Sequence, residues 1–241
     1  MACRLSVNVN KIALLRNSRG SDFPNVVKVA SDCVAFGADG ITVHPRPDER
    51  HIRRRDVYDL KDAIKTVELN IEGYPSKDFL GLIRDIRPEQ GTLVPDPPDA
   101  LTSSEGWDTV KNRQFLTEVL AELRSLHVRT SLFLDANPAM VEGAKAAGAD
   151  RIELYTGPYA HGFAKDRDSA AAAYVSTAQR ATELGIGLNA GHDLNLTNLG
   201  YLLNRIPNIL EVSIGHALFT EALYLGLSET IRRYKAILVK L

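Results

Sequence analysis

Apolar and polar positions along the chain fall into two alternating periods. Short apolar or β-rich runs recur eight times. They are LSVNVN (Leu5–Asn10), GITVHP (Gly40–Pro45), ELNIEG (Glu68–Gly73), GTLVP (Gly91–Pro95), TSLFLD (Thr130–Asp135), RIELYTG (Arg151–Gly157), GIGLNAGH (Gly185–His192) and EVSIGHAL (Glu211–Leu218). Between them lie stretches such as VVKVASDCVAFG, SKDFLGLIRDIRP and NRQFLTEVLAELRSL, with apolar residues at helical spacing. Strand and helix signals in alternation predict parallel strands joined by right-handed crossovers. Eight such units in 241 residues match a closed α/β barrel, the (β/α)8 or TIM barrel, as a single domain over residues 1–241. An open doubly wound sheet is the alternative, but no Gly-rich fingerprint follows the first strand.

The joints agree with this pattern. FGADGI, AGADRI and LGIGL each place a glycine (Gly37, Gly148, Gly185) where a helix gives way to the next strand, the left-handed position that glycine favours. Ser76 after Pro75, and Pro138 after Asn137, read as helix starts. Two connections look longer than a barrel needs: Asp96–Trp107 (DPPDALTSSEGW), rich in Pro and Ser and resembling a mobile lid, and a second loop at Tyr159–Asp168. A single long helix is expected from about Thr220 to Val239, available for packing on another subunit.

Composition narrows the function classes. With 44% hydrophobic residues the chain can bury a large core, and a net charge of −1 offers no global field for nucleic acid or an anionic membrane. Two cysteines, Cys3 and Cys33, cannot form the disulfide framework of a secreted scaffold. The opening MACRLSVNVNK lacks the apolar core of a signal peptide, and no apolar run reaches the ~20 residues of a membrane span. A cytoplasmic protein is expected.

Strand interiors should be apolar, so polar residues at strand C-terminal ends stand out, because in a barrel they converge on one mouth. Strand one ends in Asn8, Asn10 and Lys11, strand two in His44 followed by Arg46 and His51, and strand three in Glu72. Strand six contains Glu153, strand seven ends in Asn189 and His192, and strand eight carries Gly215 and His216. Each has a purely structural alternative. Glu72 could pair with Lys11 or Arg46, Glu153 could pair with Arg151, and a histidine at a strand end is often a satisfied interior residue. His127 belongs to the opposite end of the barrel, and His161 to an exposed loop.

Arginine holds phosphate oxygens in a forked geometry, so Arg46 with His51 forms one candidate anion site. AGH and IGH, each followed by a possible helix start, form a second near Gly215, where backbone N–H groups and a helix dipole favour an anion. His44, His192 and His216 could offer three nitrogens to a metal, although the chain has neither an H-x-H pair at a strand end nor an H-E-x-x-H motif. Lys11 is the one candidate for Schiff-base chemistry.

VNVNKIALLRNSRG (Val7–Gly20), GADGITVHPRPDERHI (Gly37–Ile52), NIEGYP (Asn70–Pro75), NAGHDL (Asn189–Leu194) and SIGHAL (Ser213–Leu218) closely resemble the pyridoxine 5′-phosphate synthase family, in order and over nearly the whole chain. That resemblance implies a TIM barrel with extra helices, assembled as a homo-octamer built from dimers, with no metal or organic cofactor. It implies condensation of two small phosphorylated substrates, 1-deoxy-D-xylulose 5-phosphate and 3-amino-2-oxopropyl phosphate. His44 and Glu72 would then accept protons, His192 would donate one, and Glu153 would stabilise developing charge. Asn8, Arg19, Gly215 and His216 would hold the amino-ketone phosphate, and Arg46, His51 and Thr102 the deoxyxylulose phosphate.

Two positions depart from the family pattern. Asn10-Lys11 stands where many members have Asp-His in contact with deoxyxylulose phosphate, which removes a negative charge and adds a positive one. Asp193 stands where many members have a glycine bound to the amino-ketone phosphate. A carboxylate there repels phosphate unless it caps the next helix and acts through its backbone N–H. Two other readings of the same mouth are a phosphosugar isomerase or lyase acting on one substrate, and a phosphometabolite-binding protein with a degenerate site.

Overall fold

The computed structural model describes residues 3–96 and 103–239. Eight strands, β1 (Arg4–Asn8), β2 (Gly40–Val43), β3 (Glu68–Gly73), β4 (Gln90–Leu93), β5 (Arg129–Leu134), β6 (Arg151–Tyr155), β7 (Gly187–Gly191) and β8 (Glu211–Ile214), pair in parallel and in chain order. β1 pairs with both β2 and β8, which closes the barrel expected from the alternating pattern. The surrounding helices are α1 (Asn10–Asn17), α2 (Val26–Ala35), α3 (Arg54–Ala63), α4 (Lys77–Ile86), α5 (Arg113–Ser125) and α6 (Pro138–Ala147). They continue with α7 (Gly157–Phe163), α8 (Arg167–Glu183), α9 (Leu199–Arg205), α10 (His216–Leu225) and α11 (Leu227–Val239).

Local chemistry accounts for many of the boundaries. Ser76 accepts a hydrogen bond from the Phe79 N–H to open α4, and Asn137 accepts one from the Ala139 N–H with Pro138 as the first helical residue of α6. Gly37, Gly148 and Gly185 all have positive φ, as the helix-to-strand joints require.

Four sequence expectations need correction. β1 ends at Asn8, so Asn10 and Lys11 open α1 instead of extending the strand. The segment after β6 is not a loop at its start: α7 spans Gly157–Phe163, anchored by the buried ring of Tyr159, whose hydroxyl donates to the Asn198 carbonyl at 2.6 Å. His161 is exposed, but on this helix. The C-terminal helix is two helices, separated at Gly226, whose φ of 80° a continuous helix cannot accommodate.

The fourth correction concerns the barrel interior. Side chains alternate sides along a strand. One set, including Leu5, Val7, Ile41, Val43, Leu69, Ile71, Leu132, Leu134, Ile152 and Leu154, packs outward under the helices and forms the apolar core. The inward set is polar along most of its length, where branched apolar layers are the usual filling. Ser6 and Thr42 hydroxyls lie 2.7 Å apart, the Thr92 hydroxyl donates to Asn70 Oδ1 at 3.0 Å, and the Asn70 amide reaches Thr42 at 3.4 Å. At the strand N-terminal ends Glu68 pairs with Arg4 and Arg129, and Glu211 meets Arg4 at 3.6 Å and the Asn189 amide at 3.4 Å. Ionisable groups inside the strands are therefore not confined to the mouth. Most buried polar atoms down the axis find partners in one another, which is the condition for burying them at all.

Candidate active site

The C-terminal ends of the strands carry the second polar layer. The His44 backbone N–H, one residue past β2, donates to Asn10 Oδ1 at 2.9 Å, and the Asn10 N–H donates to Asn8 Oδ1 at 3.1 Å. Asn8 and Asn10 thereby tie the rims of β1 and β2 together. Gly215 lies against Asn8 so closely that an added Cβ would come within 2.8 Å of the Asn8 carbonyl oxygen. Lys11 is exposed on α1, at the rim and outside the barrel interior.

His44 is buried, and its Nδ1 lies 3.9 Å from Oε2 of Glu72. Glu72 pairs with neither Lys11 nor Arg46, the two partners considered from the sequence. Burial, reinforced by the negative charge of Asp96, pushes the Glu72 carboxyl up to about 8, against the opposing pull of Arg46. Burial, with the positive charge of Arg46 and the neighbouring histidines, holds His44 well below the ordinary imidazole range.

Glu153 is buried, and Arg151 is not its partner, because the Arg151 guanidinium turns to Asn189 Oδ1 at 3.2 Å. Burial first, then the charges of Glu72 and Glu211, pushes Glu153 well above the usual carboxylate range. Gly191 makes room for it: a Cβ at that position would run into Glu153 Oε1.

His192 closes the far side of the mouth. Its ring stands edge-on between Phe133, at 5.8 Å between centroids, and Tyr155, at 5.3 Å. Its φ of 83° and the φ of 55° at Asp193 put two successive non-glycine residues in the left-handed region, which costs energy and is typical of functional loops. Thr156 secures the preceding turn, its N–H donating to the Gly191 carbonyl at 2.9 Å. Burial lowers the His192 pKa, with Asp193 pulling the other way. Asp193 is exposed and does not cap the next helix, which opens at Leu199 with Asn198 before it. Unlike β7, β8 runs directly into a helix, with Gly215 preceding the first turn of α10 and the His216 side chain exposed there.

The first anion site is more elaborate than its sequence suggested. The loop carrying His51 is held by the buried Arg16, whose guanidinium bonds Asp56 at 2.5 Å and the His51 carbonyl at 3.2 Å. The Ile52 N–H donates to His51 Nδ1 at 2.9 Å, so the neutral ring carries its proton on Nε2. Burial, with Arg46 and Arg50 nearby, pushes His51 down to about 4. Arg46 is buried and donates through Nη2 to Asp96 Oδ2 at 2.7 Å. A cavity of about 250 Å³ opens beside His44 and Arg46, with Arg54, Tyr74, Ser76 and Asp96 also on its walls.

Two expected phosphate contacts are not joined to this layer. Arg19 sits in the exposed turn after α1 and makes no ion pair among the described residues. Thr102 lies outside the described residues, as does the first part of the expected lid, residues 97–102. Of that segment, Ser103 and Trp107 are buried, with Trp107 Nε1 donating to the Leu93 carbonyl at 3.0 Å. Sequence reasoning missed Asp96, Ser103, Phe133, Tyr155 and Gly191. Phe133 and Tyr155 share the inward period of β5 and β6 with Ser131 and Glu153, a signal that the sequence carries. Among the described residues no group of three or more His, Cys, Asp or Glu side chains is placed to hold a metal ion.

Neutral imidazoles beside carboxyls that burial pushes toward the protonated form can pass protons to and from a bound substrate at several points. Residues 5–240 match the family model described as pyridoxal phosphate biosynthesis protein PdxJ. The chain is 61% identical over 232 residues to the pyridoxine 5′-phosphate synthase of Bacteroides thetaiotaomicron, covering 96% of this chain and 98% of that one. It is 57% identical to the enzyme of the same name from Porphyromonas gingivalis, over 96% and 97% of the two chains. Among solved structures it resembles phosphoribosylanthranilate isomerase from Thermotoga maritima (TM-score 0.63, 12% identity, 99% and 100% coverage), a likeness of fold alone.

Proposed function

Because the chain belongs to the family of pyridoxal phosphate biosynthesis protein PdxJ, we propose that this enzyme is a pyridoxine 5′-phosphate synthase. It condenses 1-deoxy-D-xylulose 5-phosphate with 3-amino-2-oxopropyl phosphate to pyridoxine 5′-phosphate, inorganic phosphate and water. The observation that carries this reading is the layer of His44, Glu72, Glu153 and His192 at one mouth, flanked by Arg46 and His51 on one side and by Gly215 on the other.

The chemistry fits this arrangement. The substrate amine attacks a ketone, the carbinolamine loses water to an imine, and ring closure follows after phosphate leaves. Each stage moves a proton at a different atom. His44, neutral in the empty site, accepts a proton, and Glu72 accepts one in its ionised form. Glu153, whose burial favours the protonated form, donates a hydrogen bond to charge as it develops. Two phosphate groups bring negative charge to the mouth and raise the histidine pKa values, so His192 becomes an effective proton donor once the site is filled. The neutral His51 presents its Nε2–H, and Arg46 its guanidinium, to the deoxyxylulose phosphate. Asn8, Gly215 and the first turn of α10 at His216 receive the amino-ketone phosphate, with Arg19 swinging in from its exposed turn. Asn10 and Lys11 keep a contact to deoxyxylulose phosphate, Asn10 by fixing the His44 backbone and Lys11 by charge. Asp193 contributes its backbone N–H. Thr102 completes the set from the segment after β4.

The exposed apolar side chains Leu14 and Leu15 on α1, and Leu223 and Tyr224 on α10, support assembly into a homo-oligomer, the octamer implied by the resemblance. Free, buried Cys3 and Cys33 support a reducing, cytoplasmic location. No helix among the described residues is long and apolar enough to cross a membrane.

The decisive assay supplies both substrates with chelator present and follows formation of pyridoxine 5′-phosphate. Product from both together, and from neither alone, is the expected result. Turnover of a single phosphosugar without the amine would assign a phosphosugar isomerase or lyase instead. Binding by calorimetry with no turnover at high enzyme concentration would leave a binding protein.

A further inference from the structure

Arg46, the cation expected to meet a substrate phosphate, is already engaged. Its Nη2 donates to Asp96 Oδ2 at 2.7 Å, and both side chains are only 4% exposed. The same Asp96 oxygen accepts a hydrogen bond from the buried Ser103 hydroxyl. Arg46 Nε, equally buried, has no hydrogen-bond partner among the described residues. A buried guanidinium N–H without an acceptor is costly, and such orphans commonly mark a position that a ligand fills. Arg46 and Asp96 also line the cavity beside His44.

We infer that Asp96 is a positioning residue for the proposed reaction: held by Ser103, it fixes the Arg46 guanidinium with Nε left open for substrate phosphate, and balances the Arg46 charge in front of Glu72. The inference rests on the synthase reading for the identity of the phosphate, but not for the geometry. A guanidinium is a planar fork whose use depends on its orientation. One edge tied to a carboxylate leaves the remaining donors at a set angle, so no reorganisation is needed when the anion arrives. The charge balance follows from what faces Glu72. His44 lies 3.9 Å away, Arg46 favours its ionised form, and Asp96 and Glu211 oppose it. Without Asp96 the full charge of Arg46 acts on Glu72 and stabilises its carboxylate.

The test compares Asp96→Asn, Asp96→Glu and Ser103→Ala with the unaltered enzyme. In the ligand-free protein, carbon-13 NMR of the Glu72 carboxyl needs no turnover. Asp96→Asn is expected to move its titration midpoint down by about one unit or more, and Asp96→Glu, which keeps the charge, to leave it near the original. In steady-state kinetics Asp96→Asn is expected to raise KM for deoxyxylulose phosphate about 10-fold, although losing a negative charge should by Coulomb attraction alone lower it. Ser103→Ala, which alters no charge, is expected to raise the same KM about 3-fold with kcat little changed. An unmoved Glu72 midpoint in Asp96→Asn would overturn the inference. So would a fall in KM, the signature of a carboxylate that merely competes with phosphate. Should the unaltered enzyme fail to turn over, the synthase reading falls, while the Glu72 midpoint still decides the role of Asp96.

Discussion

Nδ1 of His44 and Oε2 of Glu72 lie 3.9 Å apart in the barrel mouth, with side chains only 8% and 12% exposed. The separation is slightly long for a hydrogen bond and short enough to become one with a small movement. The pair combines a neutral imidazole with a carboxyl pushed up to about 8.

Glu72→Gln keeps the shape of this pair and removes the titration. Its kcat is expected to fall about 10²–10⁴-fold, with KM for both substrates within about 3-fold of the original. In the unaltered enzyme kcat/KM should rise with pH through a limb near 8, because Glu72 must ionise to accept a proton. Stopped-assay kinetics between pH 6 and 9.5 on both proteins check this. Unchanged turnover in the variant removes Glu72 from the mechanism.

The same group makes stability fall with pH. The folded-state pKa of Glu72 lies above its ordinary value of 4.5, so between those limits the folded chain binds more protons than the unfolded one. The contribution is fully present below about 4.5 and is lost as pH rises through about 8. Glu72→Gln should therefore melt about 2–4 °C above the original at pH 9, for each kcal/mol recovered, with the gap closing toward pH 5. Calorimetric melting at the two pH values measures it, and a gap that widens toward acid contradicts the assignment.

Gly191 is a notch cut for Glu153. In Gly191→Ala the new methyl meets Glu153 Oε1, and the carboxyl must move. An expected drop in kcat of about 10–100-fold follows from misplacing a group that acts by position. In a Glu153→Ala background the same alanine should cost much less, because nothing remains to collide. Kinetics of the two single variants and the double variant decide it. Additive losses would place the effect elsewhere.

At the other end of the barrel Glu68 holds the strand N-termini together. Burial alone would raise its pKa, but hydrogen bonds from Arg129 and Arg4 hold it down to about 2. That stability is present above about 4.5 and disappears as pH falls through about 2. Glu68→Gln is expected to cost about 1–3 kcal/mol at pH 7 by urea unfolding, with a shrinking difference in acid and kcat within about 2-fold of the original. A large kcat loss without destabilisation would mean that the interior network reaches the chemistry.

The alternation of short apolar runs with helical periods pointed to parallel strands covered by helices, and eight units with no Gly-rich fingerprint favoured the barrel over the open doubly wound sheet. Glycines at Gly37, Gly148 and Gly185 marked joints that the backbone uses as such. The convergence of His44, Glu72, Glu153 and His192 was also legible, since strand ends in a closed barrel share a mouth. What sequence could not decide was which charge meets which. Arg46 is engaged by Asp96, 50 positions further along the chain, and Glu72 lies beside His44, while Arg151, two positions from Glu153, turns to Asn189. The polar filling of the barrel was hidden for the same reason. Ser6, Thr42, Asn70, Thr92 and Asn189 look like interruptions in separate strands, and only closure brings them close enough to satisfy one another. Periodicity is a local property that each segment carries by itself. The pairing of buried polar groups, and the pKa values that follow from it, depend on distances that exist only after the eighth strand has met the first.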